Sequence, residues 1–207
     1  MVPRDGLFRI AKPFVVLITR ASQARGRGFD PRPPLSSVSP GTLISAADAT
    51  VPVTVQRRLA LPPGTAFEVI VPIDLSLIFK GYGPFPGVHG TSNQTGAWDH
   101  VGASRNPELS DGSTANERLT EYARGHSFAY ELTDLTNPLG HMVHGMRGEW
   151  TFAPDGDGTL IRWSYEFKPK AGMGPLIRFG LAPLWRRYME RVLSATARIA
   201  ETGQAQS

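Results

Sequence analysis

The sequence predicts an α+β fold in which an antiparallel sheet of about seven strands packs against one long carboxy-terminal helix. Two observations carry that expectation: short apolar-alternating segments separated by turn chemistry fill residues 88 to 168, and a helix-period pattern fills the segment after Gly174. A third is that the strands from Val88 onward follow one another through short turns that leave no room for a parallel crossover, so the sheet should be antiparallel.

The first strand is Val51 to Leu61, where valines alternate with polar residues. Pro62-Pro63-Gly64 ends it. Pro63 suits the first turn of a short helix that runs from Thr65 to Ile70, and a second short helix, Ile73 to Phe79, follows Pro72. Lys80 to Gly87 holds so many glycines and prolines that it must be a loop. Six further strands follow at Val88 to Asn93, Val101 to Leu109, Thr114 to Tyr122, Ser127 to Leu135, Met142 to Ala153 and Thr159 to Lys168. The breaks between them are Thr95-Gly96, Ser110-Asp-Gly-Ser113, Gly125, Thr136-Asn-Pro-Leu-Gly140 and Pro154-Asp-Gly-Asp-Gly158, and Asp-Gly is a strong hairpin signal. In the final helix Ile177, Leu181, Leu184, Trp185, Tyr188, Val192 and Ile199 form the apolar stripe, and Arg178, Arg186, Arg187, Glu190, Arg191, Arg198 and Glu201 the polar face. Pro183 kinks this helix or marks its start.

Composition narrows the function classes. With 41% hydrophobic residues the 207-residue chain can build one real core, and its lack of cysteine excludes disulfides and thiolate metal sites. The basic excess is local. Residues 1–45 hold seven basic and two acidic side chains, a net +5 within a total of +4, so the remainder is at −1. A near-neutral body speaks against a nucleic-acid partner. The run Phe14 to Ile18 is far short of the roughly 18 residues of a membrane span. Residues 1–45, with Pro31, Pro33, Pro34 and Pro40, are expected to be a disordered tail or the product of an upstream start, and order is expected from Val51. The cytoplasm is the expected compartment.

Strand periodicity assigns the inward faces. Phe128, Tyr130 and Leu132 share one face; Met142, His144, Met146, Trp150 and Phe152 share another; Ile161, Trp163, Tyr165 and Phe167 share a third. Glu131, Thr133, Arg147, Glu149, Arg162, Glu166 and Lys168 then face solvent. The inner wall is strongly aromatic, with tyrosine hydroxyls, one imidazole and an indole as its polar features.

Other motifs point to simpler roles. His141, His144 and Glu149 would diverge across the strand and make no zinc site. Asp99, His100 and Ser104 lack a nucleophile-elbow pattern. Asp155-Gly-Asp-Gly158 lacks the downstream glutamate of a calcium loop and is expected to be a turn. Gly81, Gly83 and Gly87 match no nucleotide fingerprint, so no cofactor is expected. The arginines of the last helix either touch anionic lipid transiently or are simply solvated.

The segments Val101-Gly-Ala-Ser-Arg105, Leu109-Ser-Asp-Gly112, Glu117-Arg-Leu119, Phe128-Ala-Tyr130, Gly158-Thr159 and Trp163-Ser-Tyr-Glu-Phe167, in this order of elements, resemble the START-like helix-grip superfamily of polyketide cyclases and dehydrases, lipid-transfer domains and plant hormone receptors. The resemblance spans residues 51–203. It implies a curved sheet gripping the terminal helix around a cavity, with Arg105 and Glu117 pointing inward, as in the hormone-binding members. Two buried charges there would need each other or a polar ligand group. Arg105, Glu117, Tyr130, His144, Trp163 and Tyr165 are therefore the candidate ligand-binding residues. Three functions stay open: a carrier or sensor for a small lipid-, polyketide- or aromatic-type molecule, a cyclase or dehydratase using the same cavity, and an interaction module whose cavity has collapsed.

Overall fold

The computed structural model describes residues 42–45 and 47–203. The elements are β1 (Val51–Leu59), α1 (Pro63–Ile70), α2 (Leu75–Ile78), β2 (Val88–Ser92), β3 (Ser104–Leu109), β4 (Asn116–Ala123), β5 (Ser127–Thr133), α3 (Leu139–Met142), β6 (Val143–Asp155), β7 (Gly158–Pro169), α4 (Gly174–Leu176), a π-helical turn (Ile177–Leu181) and α5 (Ala182–Thr202). All seven strands form one antiparallel sheet in the order β1-β7-β6-β5-β4-β3-β2. The first strand thus pairs with the last, and α5 packs across β1. This is the helix-grip arrangement the sequence predicts. Boundaries differ by a few residues, and Leu139 to Met142, expected partly as turn, forms a helical turn instead.

Local chemistry explains the elements. In β1, Val51, Val53, Val55 and Leu59 are buried, and in β7, Ile161, Trp163, Tyr165 and Phe167 are. Period-2 alternation therefore places each set on the concave face. Pro63 sits in the first turn of α1, where its missing N–H costs nothing, and Asp74 caps α2 by accepting from the Ser76 N–H at 2.8 Å. Phe67 of α1 is fully buried and meets Tyr122, Phe128 and Phe152 edge-on, with centroids 5.2 to 6.2 Å apart. α5 ends at Gly203, whose φ of 69° lies in the left-handed region that favours glycine at a helix stop.

The long helix differs in detail from the predicted stripe. Met189, Leu193, Thr196, Ala197 and Ala200 are buried along it, whereas Leu184 is exposed and Ile199 half-buried. All of these lie within α5, where the buried positions Trp185, Tyr188, Met189, Val192, Leu193, Thr196, Ala197 and Ala200 keep regular helical spacing, and Leu184 and Ile199 fall on the flanks of that stripe.

The convex face also departs from expectation. Glu131 is buried rather than solvated: its Oε1 accepts the Leu43 N–H, and the Lys168 ammonium donates to the Leu43 carbonyl at 2.8 Å and pairs with Asp48 at 3.0 Å. Arg147 is clamped between Glu121 at 2.9 Å and Glu149 at 2.6 Å. Ile44 is buried, so packed structure begins before Val51. The tail expected over residues 1–45 lies, up to residue 41, outside the described residues.

Candidate functional site

Between the concave face, α1, α2 and α5 lies a cavity of about 490 Å³. That volume falls within the roughly 300–1,000 Å³ of small-molecule pockets. Its lining is mainly apolar: Ile70, Val71 and Ile73 from α1 and its exit, Leu75 and Ile78 from α2, Phe128, Leu132, Met146 and Trp150 from the sheet, and Leu181, Leu184 and Trp185 from the carboxy-terminal helices. The glycine- and proline-rich loop adds Pro84, Phe85 and Pro86. Phe85 stacks on Tyr188 at 5.6 Å and meets Trp185 edge-on at 4.9 Å, and the Tyr188 hydroxyl donates to the Pro86 carbonyl at 3.0 Å. The loop is thus a wall of the cavity fastened to α5.

Asp111 and Asn137 also line the cavity, and two linked polar groups, an ion pair and a phenol pair, stand in its wall. Arg105 on β3 and Glu117 on β4 are cross-strand partners, and Arg105 Nε donates to Glu117 Oε2 at 2.6 Å. Both line the cavity and both are buried, at 8% and 4% exposure. The Trp98 ring lies 4.0 Å from the guanidinium carbon, so one face of the cation is covered by a π-system. Trp98 was not singled out in the sequence. It sits in an irregular segment with no periodicity, and an aromatic residue within Gly96-Ala-Trp-Asp99 is the sole local sign.

The second group is a phenol pair. The Tyr130 hydroxyl donates to the Tyr165 hydroxyl at 3.2 Å and accepts from Trp163 Nε1 at 3.2 Å. Tyr130 fits because Gly148, its register partner on β6, has no side chain: a Cβ there would lie 2.4 Å from the Tyr130 ring. Burial, and after it the Glu117 charge, pushes the Tyr130 hydroxyl up to about 12. Burial likewise pushes Tyr188 up to about 12, and Tyr165, with Tyr130 as the second cause, well above the ordinary phenol range. At neutral pH all three are therefore protonated donors and none is a base.

A consequence can be measured. Unfolded tyrosine ionises near pH 10, so above it the unfolded chain sheds protons that the folded chain still holds. The stability these groups contribute is complete below about pH 10 and is lost as pH rises towards about 12. In an alkaline titration, tyrosinate absorbance from these residues should rise together with loss of the folded circular-dichroism signal. A rise that precedes unfolding would contradict the burial.

Of the six candidate residues, the structure brings Arg105, Glu117, Tyr130 and Tyr165 to the cavity wall. Trp163 does not line it: the fully buried indole stacks at 4.6 Å on Trp150, its cross-strand partner, meets Phe79 edge-on, and acts on the cavity through its bond to Tyr130. His144 is a correction. Val143 pairs with Pro169 and Gly145 with Lys168, leaving His144 as the extra residue of a β-bulge, so it turns out to solvent. Gly145 permits the bulge, since a Cβ there would lie 2.6 Å from the Leu132 carbonyl oxygen and 2.4 Å from Leu43. The wall therefore has no imidazole. It has an indole N–H instead: Trp185 Nε1 is buried and has no hydrogen-bond partner among the described residues.

The sequence model described as polyketide cyclase / dehydrase and lipid transport matches residues 50–201. The chain belongs to this family. No curated protein sequence matches it. Solved structures show that the polyketide cyclase / dehydrase and lipid transport fold is shared widely at low identity. Ara h 8.0201 is 12% identical with a TM-score of 0.58, covering 74% of this chain and 99% of its own. The major latex-like protein 151 of Panax ginseng is 14% identical with a TM-score of 0.56, over 72% and 96%. A protein from Nitrosospira multiformis is 14% identical with a TM-score of 0.54, over 75% and 99%. These likenesses show the START-like fold alone. Family and fold are consistent with hydrophobic-ligand binding or cyclase-type chemistry. No helix among the described residues is long and apolar enough to cross a membrane.

Proposed function

We propose that this protein is a carrier or sensor that takes a small hydrophobic molecule of lipid, polyketide or aromatic type into its cavity. The observation that carries the reading is the cavity itself: about 490 Å³ bounded mainly by aliphatic and aromatic side chains, with the Arg105–Glu117 pair and the Tyr130 and Tyr165 hydroxyls among its polar features. Apolar burial, at roughly 25 cal/mol per Å², supplies affinity, and the polar groups orient one oxygen-bearing end of the ligand. Trp185 adds a donor that has no acceptor among the described residues.

A cyclase or dehydratase acting in the same cavity would need a base at the reacting carbon. The tyrosines are held protonated and the Glu117 carboxylate is engaged by Arg105, which favours binding over turnover. Access is supported at the helical rim. Leu176 lines the cavity yet is 57% exposed, and Phe179 in the adjoining π-helical turn is 77% exposed. Such a rim suits an apolar ligand entering from a lipid surface during transient contact.

Native mass spectrometry of protein from its own host, with identification of any released compound, tests the reading together with titration by a fluorescent hydrophobic probe. The expected result is a stoichiometric apolar compound or saturable probe binding, weakened about fivefold by Tyr165→Phe for ligands that accept the hydrogen bond its hydroxyl still has to give, the equivalent of about 1 kcal/mol. An empty protein that takes up no probe would overturn it and leave the interaction-module reading. Conversion of the bound compound to a different product would establish the enzyme instead.

A further inference from the structure

The cations of α5 divide into two sets. Arg186 is engaged, donating to the Thr54 carbonyl of β1 at 2.6 Å. Arg187, Arg191 and Arg198 turn the other way, into an open cleft of about 650 Å³ whose opposite wall is Ile78, Lys80, Gly81 and Tyr82. The exposed arginines 57, 58 and 124 each have a side-chain partner or a carboxylate. In the cleft, four cations face a single acidic lining residue, Glu190, and none of the four has a carboxylate within ion-pair distance among the described residues. Arg191 instead lies over the Tyr82 ring at 4.5 Å, which fixes its side chain. A concave surface with four unneutralised cations, one of them held by an aromatic floor, is more than the solvated polar face of a helix.

We propose that this cleft binds a phosphate-bearing anion. Helix geometry sets its size. Arg187 and Arg191 are one turn apart and, with Lys80 opposite, form one pole. Arg198 lies seven residues further, about 10 Å along the axis at 1.5 Å per residue. A lone phosphate cannot reach both poles, so the fitting ligand carries at least two phosphoryl groups or belongs to an array of headgroups. The planar guanidinium forks match phosphate oxygens, and the open cleft lets the anion stay partly hydrated.

The cleft is also next to the cavity. Ile78 and Tyr188 line both, one on each side, and the loop that supplies Lys80 and Tyr82 to the cleft supplies Pro84, Phe85 and Pro86 to the cavity. An anion drawn against Lys80 and Arg191 therefore bears on the loop that walls the apolar site. This inference goes beyond the hydrophobic-ligand reading and does not depend on it.

The test uses the full chain in two arms: calorimetric titration with inorganic pyrophosphate and with inositol hexakisphosphate, and co-sedimentation with vesicles of phosphatidylcholine alone or mixed with phosphatidic acid. The paired variant Arg187→Gln/Arg191→Gln should weaken anion binding at least tenfold, and added salt should weaken it in the wild type. Arg178→Gln, an exposed cation outside the cleft, should leave binding of the soluble phosphates unchanged. Binding of the soluble phosphates assigns a free anion, and binding of phosphatidic acid vesicles without them assigns a headgroup. Failure of both at low ionic strength, or equal loss in the Arg178→Gln control, overturns the proposal. Uptake of the hydrophobic probe, measured in the same variants, should persist in either case and reports on the cavity separately.

Discussion

Glu117→Leu is expected to destabilise the fold by about 3–5 kcal/mol, because it leaves the Arg105 guanidinium buried without its counter-charge. The Trp98 ring covers one face of that cation but cannot accept its N–H bonds, so it offsets little of the loss. Removing both charges is a different case. Arg105→Met/Glu117→Leu replaces the pair by apolar groups of similar volume, and a buried ion pair exchanged in this way is often neutral or better. The double variant should therefore recover most of the stability, still admit an apolar probe, and bind oxygen-bearing ligands less selectively. Chemical denaturation of the three proteins checks the stability ordering. A double variant as unstable as the single one would mean that shape rather than charge governs the site.

Trp163→Ala should cost a comparable amount, about 3–5 kcal/mol, since the indole is among the largest fully buried side chains. It supports Trp150 by stacking, meets Phe79 edge-on at 6.0 Å, and donates to Tyr130. Trp163→Phe separates these roles: it keeps much of the packing and removes the donor. That variant should retain more stability, and its near-neutral ligand affinity or altered oxygen preference would report how far Tyr130 relies on its indole partner. If Trp163→Ala proved nearly harmless, the supporting role of this buried ring would have to be abandoned.

The strands from β3 to β7 were legible because hairpin turns are encoded locally, and Asp111-Gly112 and Asp155-Gly-Asp-Gly158 lie at actual reversals, whereas the pairing of β1 with β7 has no local turn to announce it. Inward faces of β5 and β7 were legible for a similar reason: alternation is uninterrupted there. In β6 it is interrupted. One additional residue at the bulge reverses the side to which His144 points, and nothing in the apolar pattern marks the insertion. Periodicity also gives a side and not a neighbourhood, so it placed Trp163 inward without showing that Phe79 and Trp150 pack against its ring. The inward direction of Arg105 and Glu117 came from family resemblance; no alternation in β3 or β4 shows it. Trp98 was illegible because its contact with Arg105 is tertiary and its own segment is irregular.

The docking of Leu43 on the convex face bears on where this domain begins. The Glu131 carboxylate, the Lys168 ammonium and the hollow left by Gly145 are three separate acceptances of one short stretch of chain ahead of β1. A protein expressed from Val51 onward would contain every strand and helix, yet it would present a bared acid and a notch at the centre of its outer surface. The first strand is therefore not the first residue of the folding unit, and a recombinant boundary belongs upstream of Thr42.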